Sequence, residues 1–114
     1  MLHEMTLFPK PYASIASGQK TIELRLYDEK RQSIQIGDQI LFTNTEDASQ
    51  TTLCEVVQFH VFKNFPELYE KLPLLKCGYT PEDVDFAHPD DMLTYYSKEK
   101  QAQYGVVGIE LKLL

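Results

Sequence analysis

Ser17-Gly18-Gln19-Lys20-Thr21-Ile22-Glu23-Leu24-Arg25-Leu26 is the stretch on which the fold turns. From Thr21 onward polar and apolar residues alternate, the period of a strand with unlike faces. Ile22, Leu24 and Leu26 are expected to face the core, and Thr21, Glu23, Arg25 and Tyr27 to face away from it. Upstream, Phe8, Tyr12 and Ile15 recur at helical spacing behind Pro9 and Pro11, which a first helical turn tolerates. Gly18 suits a left-handed helix end. The stretch thus predicts a helix over residues 8–17, a sharp turn, and a strand over 21–26, with Lys20 at the junction.

Working outward, residues 3–7 read as a short strand and 28–32 as a charged loop. Gly37-Asp38 turns the chain into a strand over 39–43, and 44–50 has loop composition. Residues 51–62 read as a long strand with a bulge near Val56-Val57. Phe65, Leu68, Tyr69 and Leu72 share a helical face. Thr80-Pro81-Glu82-Asp83 and His88-Pro89-Asp90-Asp91 each read as an N-cap, a proline at N1 and first-turn acids, the grammar of a helix start. Val107, Ile109, Leu111 and Leu113 share one parity of a closing strand. Five strands or so with three or four helices, several strands following one another directly, predict an α+β fold and exclude a doubly wound one.

The 114 residues suit one domain with one core, spanning 1–114. Hydrophobic residues at 43% place the chain among globular proteins and not disordered ones. No apolar stretch is long enough to span a bilayer, and the start lacks a basic segment leading into an apolar run, so a cytoplasmic, membrane-free protein is expected. The net charge of −6 repels polyanions in bulk. Residues 1–63 hold six basic and eight acidic side chains and residues 64–114 five and nine, so a local basic site belongs to the first half. Cys54 and Cys77 read as buried thiols. His3, His60 and His88 lack zinc-ligand spacing, no phosphate loop appears, and neither metal nor cofactor is expected.

The candidate chemistry gathers on Lys20, Glu23 and Arg25. Glu23 and Arg25 share a strand face about 7 Å apart, so a groove over that face would offer a ligand one carboxylate and two cations. Arg25 would stack on a base or hold a phosphate in two bonds, and Lys20 would act as a point charge. The plainer reading is a solvated Glu/Arg face. Tyr95, Tyr96 and Tyr104 would make a stacking platform, or the edge of an amphipathic core. Asp90-Asp91 and Glu82-Asp83 are explained as helix-start acids without a cation. His60 reads as a surface or satisfied histidine, and Lys30-Arg31 as a loop charge pair or an extension of a basic rim from Arg25.

The run Ser17 to Arg25, followed by Gly37-Asp38-Gln39-Ile40-Leu41-Phe42 and the ending Tyr104-Gly105-Val106-Val107-Gly108-Ile109, resembles the ASCH (activating-signal-cointegrator homology) family. The resemblance implies a PUA-like fold, a small mixed β-barrel of five or six strands with flanking helices. It also implies a cleft beside the barrel that binds RNA or a nucleotide- or nucleoside-like ligand. Lys20, Glu23 and Arg25 match the family's cleft residues, with Thr21 beside them, and DNA is not expected as a partner. One branch of ASCH-like proteins hydrolyses the amide of 4-acetylcytidine. That branch is similar here in Lys20 but carries a threonine nucleophile where this chain has Glu23, and its later glutamate finds only Glu82 as a regional match. An amidohydrolase with Lys20 and Glu23 as catalytic residues is therefore the alternative. A protein-interaction module presenting the acidic surface is a second.

Overall fold

The computed structural model describes residues 1–114. Five strands form one mixed sheet, β1 (Leu2–Leu7), β2 (Ile22–Leu26), β3 (Gln39–Asn44), β4 (Asp47–Phe62) and β5 (Val106–Leu113), in the spatial order β1-β3-β4-β5-β2. β1 runs parallel to β3 and every other pairing is antiparallel. β4 is long enough to pair β3 with its first half and β5 with its second. The register slips between Val56 and Gln58, the bulge foreseen in the sequence, and bulges of this kind sharpen a sheet's twist. The sheet curls into a half-barrel whose two edge strands, β1 and β2, share no backbone ladder.

The helices are α1 (Pro9–Ala16), α2 (Glu29–Gln32), α3 (Phe65–Lys71) and α4 (Lys98–Tyr104), with three 3-10 turns at Leu74–Lys76, Val84–Phe86 and Pro89–Thr94. α1 lies within the expected span and buries Tyr12 and Ile15. Three expectations change. The loop foreseen at 28–32 is a helical turn, because Asp28 caps it by accepting from the Arg31 amide at 3.2 Å. Most of the loop foreseen at 44–50 is strand: only Thr45 and Glu46 separate β3 from β4, and Asn44 steadies the hairpin through Gln50 and the Glu46 amide. The helix starts foreseen at Thr80-Pro81 and His88-Pro89 lead only into 3-10 turns, the first because His88 ahead of Pro89 is held extended, the second because Ser97 is extended as the cap of α4.

The core is double, not single. One cluster fills the half-barrel with Met5, Leu7, Ile40, Phe42, Val56, Val107, Ile109 and their neighbours. A second packs Ile22, Leu24, Leu26 and Val106 against Phe65 and Leu68 of α3, with Met92 and Cys77. At Gly108 a Cβ would stand 2.6 Å from Leu72 Cδ1 and 3.0 Å from Ile22 Cγ2, so a side chain there would make Leu72 and Ile22 shift in the second layer on β5. β2 therefore separates two clusters. Its Ile22/Leu24/Leu26 face belongs to the second, while Glu23 and Arg25 pair with Ile109 and Val107, residues of the first. The charged face foreseen as turned away from the core is turned toward the barrel.

Candidate functional site

Glu23 is 3% exposed, an extreme position for a carboxylate. Its two oxygens each take one cation: Lys20 Nζ lies 2.8 Å from Oε1 and Arg25 Nε 2.8 Å from Oε2. Burial pushes the Glu23 carboxyl up, but the charges and hydrogen bonds of Lys20 and Arg25 more than offset this and hold it below its ordinary value. Burial pulls the Arg25 guanidinium down, and Glu23, with the Tyr96 phenol, more than restores it. The triad thus sets one carboxylate between two basic side chains, with a formal net charge of +1.

Each member is positioned by local structure. Gly18 closes α1 and the Lys20 amide donates to Ser14 O at 2.9 Å, which fixes the junction. Gln19 Nε2 donates to Tyr79 O at 3.0 Å and the Thr21 amide to Lys76 O at 2.9 Å, so the 75–79 loop is tied along it. Gly78 has a φ of +111°, and a Cβ there would stand 3.3 Å from Lys20 Cδ. The loop can lie against the lysine stem because Gly78 has no side chain. Beyond Glu23, Arg25 Nη2 donates to Thr6 O on β1 at 2.9 Å.

The triad floors a cleft of about 470 Å³ that opens to solvent. Thr6, Phe8 and Lys10 contribute to its lining from the β1–α1 segment, and Tyr69, Gly78, Tyr79, Asp91, Tyr95 and Tyr96 from the second half of the chain. The second-half lining is braced by a chain of hydroxyls: the Tyr69 and Tyr79 phenols lie 2.7 Å apart, and Tyr79 donates to Asp91 Oδ2 at 2.6 Å. Burial pushes the Tyr69 phenol up to about 12, and burial with the Asp91 bond raises Tyr79 further, so both stay protonated. Cys77 also lines the cleft as a free thiol pushed up to about 11 by burial, and Cys54 is likewise free and buried.

The chain brings together Lys20, Glu23, Arg25, Tyr95 and Tyr96 of the residues singled out in the sequence. Thr21 does not line the cleft: its amide is taken by Lys76 O and its carbonyl by the Leu111 amide. Glu82 lies outside it too. Tyr104 packs at the edge of the second cluster. His60 pairs with Glu110 at 2.9 Å and Arg31 with Asp28 at 3.1 Å, and none of the four lines the cleft, so Lys30-Arg31 adds no cation to it beyond Arg25. Sequence reasoning did not find Gly78, Tyr79 or Lys10. A glycine within Cys77-Gly78-Tyr79 was the only trace of the close approach.

The ASCH domain profile matches residues 5–114. The chain belongs to the ASCH domain family. Among solved structures it is similar to the hypothetical protein PH0355, with 31% identity, all of both chains covered and a TM-score of 0.81. It is also similar to protein PF0455 from Pyrococcus furiosus, with 33% identity over 100% of this chain and 98% of that one and a TM-score of 0.75. The ASCH protein from Zymomonas mobilis, 13% identical, shares the fold at a TM-score of 0.68 over 97% of this chain and 66% of that one. No curated protein matches. The half-barrel with its flanking helices is thus the PUA-like fold of ASCH domains, and no helix in it is long and apolar enough to cross a membrane.

Proposed function

We propose that this ASCH domain binds RNA, or a nucleotide- or nucleoside-like ligand, in the cleft floored by Lys20, Glu23 and Arg25. The observation that carries the reading is the buried ion triad itself. Apolar residues of similar volume often hold a fold as well as a buried ion pair does, so stability alone is a weak reason for three charges here. What charges add is a set of pre-oriented donors. Glu23 uses one donor of Lys20 and one of Arg25, and Thr6 O uses a second of Arg25. The ammonium and guanidinium carry eight between them, so donors remain for a ligand's acceptor oxygen. Lys10, Lys20 and Arg25 are balanced around the cleft by Glu23, Asp83 and Asp91. That balance suits a polar base with few phosphates and predicts a shallow salt dependence.

The same geometry weighs against the hydrolytic alternative. A general base needs a free oxygen and a carboxyl pKa raised toward neutrality. Glu23 has both oxygens engaged and its pKa lowered. The test is calorimetric titration with cytidine and with the four nucleoside monophosphates. Binding by the wild type that falls about tenfold or more in Lys20→Ala and Arg25→Gln is expected, the loss appropriate to a charged hydrogen bond. Unchanged affinity in both variants would overturn the reading.

A further inference from the structure

Phe8 and Tyr95 both line the cleft, 57% and 53% exposed, and their rings stack with centroids 6.4 Å apart and planes tilted by 30°. Neither belongs to the apolar clusters. Phe8 is held in extended backbone before the Pro9-Lys10-Pro11 helix start, and Tyr95 ends the Pro89–Thr94 turn, its amide donating to Met92 O at 3.1 Å. Behind Tyr95 the rings continue inward, with Tyr96 at 6.4 Å and then Phe65 at 6.3 Å, so the outer ring is buttressed from the core.

We propose that Phe8 and Tyr95 are the two plates of a base clamp, and that the ligand is single-stranded RNA engaging the protein through at least two nucleotides. One base enters the clamp while a neighbouring nucleotide meets the Lys20–Arg25 floor. The pairing favours this: the two exposed rings stack on each other at a centroid distance of 6.4 Å, and a base that parts them exchanges that one contact for a π-face on each side. Stacking of this kind is indifferent to base identity, because every base has a π-face. Lys10, two residues beyond Phe8, lines the same cleft, and its ammonium makes no ion pair or side-chain hydrogen bond. It is placed to meet the phosphate that links the two nucleotides.

The inference rests on the cleft-binding reading, and one experiment separates them. Fluorescence anisotropy with a labelled single-stranded RNA hexamer of mixed sequence is paired with calorimetry using cytidine monophosphate. Phe8→Leu and Tyr95→Leu are expected to weaken the hexamer about tenfold each and by more than they weaken the mononucleotide, whereas Tyr95→Phe keeps hexamer affinity within twofold. Both positions are exposed, and thermal melts verify that the variants fold. Hexamer binding lost in Lys20→Ala but unchanged in both leucine variants would overturn the clamp and leave the cleft reading standing. Equal losses for hexamer and mononucleotide would overturn the separate second subsite. Wild type that binds neither probe would overturn both.

Discussion

The guanidinium of Arg25 reaches across the open seam of the half-barrel and donates to the carbonyl of Thr6 at 2.9 Å, joining the two edge strands that no backbone ladder joins. Lys30 makes a parallel bridge to Glu4 O at 2.8 Å. Edge carbonyls left open invite other strands, and here cationic side chains occupy two of them. The same Arg25 pairs with Glu23, so the barrel seam and the cleft floor are one structure.

Arg25→Lys retains the charge but loses the planar fork that serves Glu23 and Thr6 at once. It is expected to cost about 2 kcal/mol, in the range of lost charged hydrogen bonds. Hydrogen exchange checks the location: amides of Leu2–Leu7 should exchange faster while those of β4 and β5 do not. Uniform acceleration over the sheet would contradict the seam assignment.

Removing the carboxylate leaves two desolvated cations facing one another. Glu23→Ala is therefore expected to destabilise by about 3–5 kcal/mol, the usual cost of stripping one partner from a buried ion pair. Because the folded pKa of Glu23 lies below its ordinary 4.5, its ionic contribution is fully present above that value. It is lost as pH falls through the folded pKa. Denaturant melts of the wild type should accordingly lose stability below about pH 4.5, with Asp38, held down to about 2 by its His3 bond, adding a further decline below 3.8. In Glu23→Gln the first decline should shrink, and an unchanged acid slope would count against the shift.

Gly78→Ala combines a positive φ with a contact on the Lys20 stem. Strain at such a backbone costs about 1 kcal/mol or more, so a melting temperature lowered by several degrees is expected. Lys20 must also give way, so ligand affinity should fall beyond what the stability loss explains. A variant as stable as wild type would show that the loop does not depend on the glycine.

Tyr79→Phe removes the hydroxyl between Tyr69 and Asp91. Its partners remain partly exposed and water can replace it, so the expected loss is about 1 kcal/mol. Asp91→Asn should behave similarly, and the double variant should lose less than the two singles added together, since they break one network.

Much of this architecture was legible in the sequence. Alternation in 21–26 and 106–113 marked strands because apolar parity follows directly from the pleat. The 56–57 bulge and the α1 boundaries were legible through the same periodicities. The apolar face of β2 was legible, but the burial of its Glu23/Arg25 face was not, since an alternating strand reads as half-solvated unless both its faces are covered, as they are here. α4 was missed because Lys98-Glu99-Lys100-Gln101 carries no apolar stripe; its one signal was Ser97, whose hydroxyl caps the Lys100 amide. The tyrosine chain could not be read, because Tyr69, Tyr79 and Asp91 meet only through the packing of three separate elements.

The most direct test is a titration of isotope-labelled protein with single-stranded RNA hexamer, followed through backbone amide shifts. Binding in the cleft predicts that the largest changes fall at Thr6, Phe8, Lys20, Gly78, Tyr79 and Tyr96, with His60 and Glu110 on another face unmoved, and that Lys20→Ala abolishes the pattern. Shifts centred on His60 and Glu110, or a cleft that stays silent at saturating RNA, would contradict it.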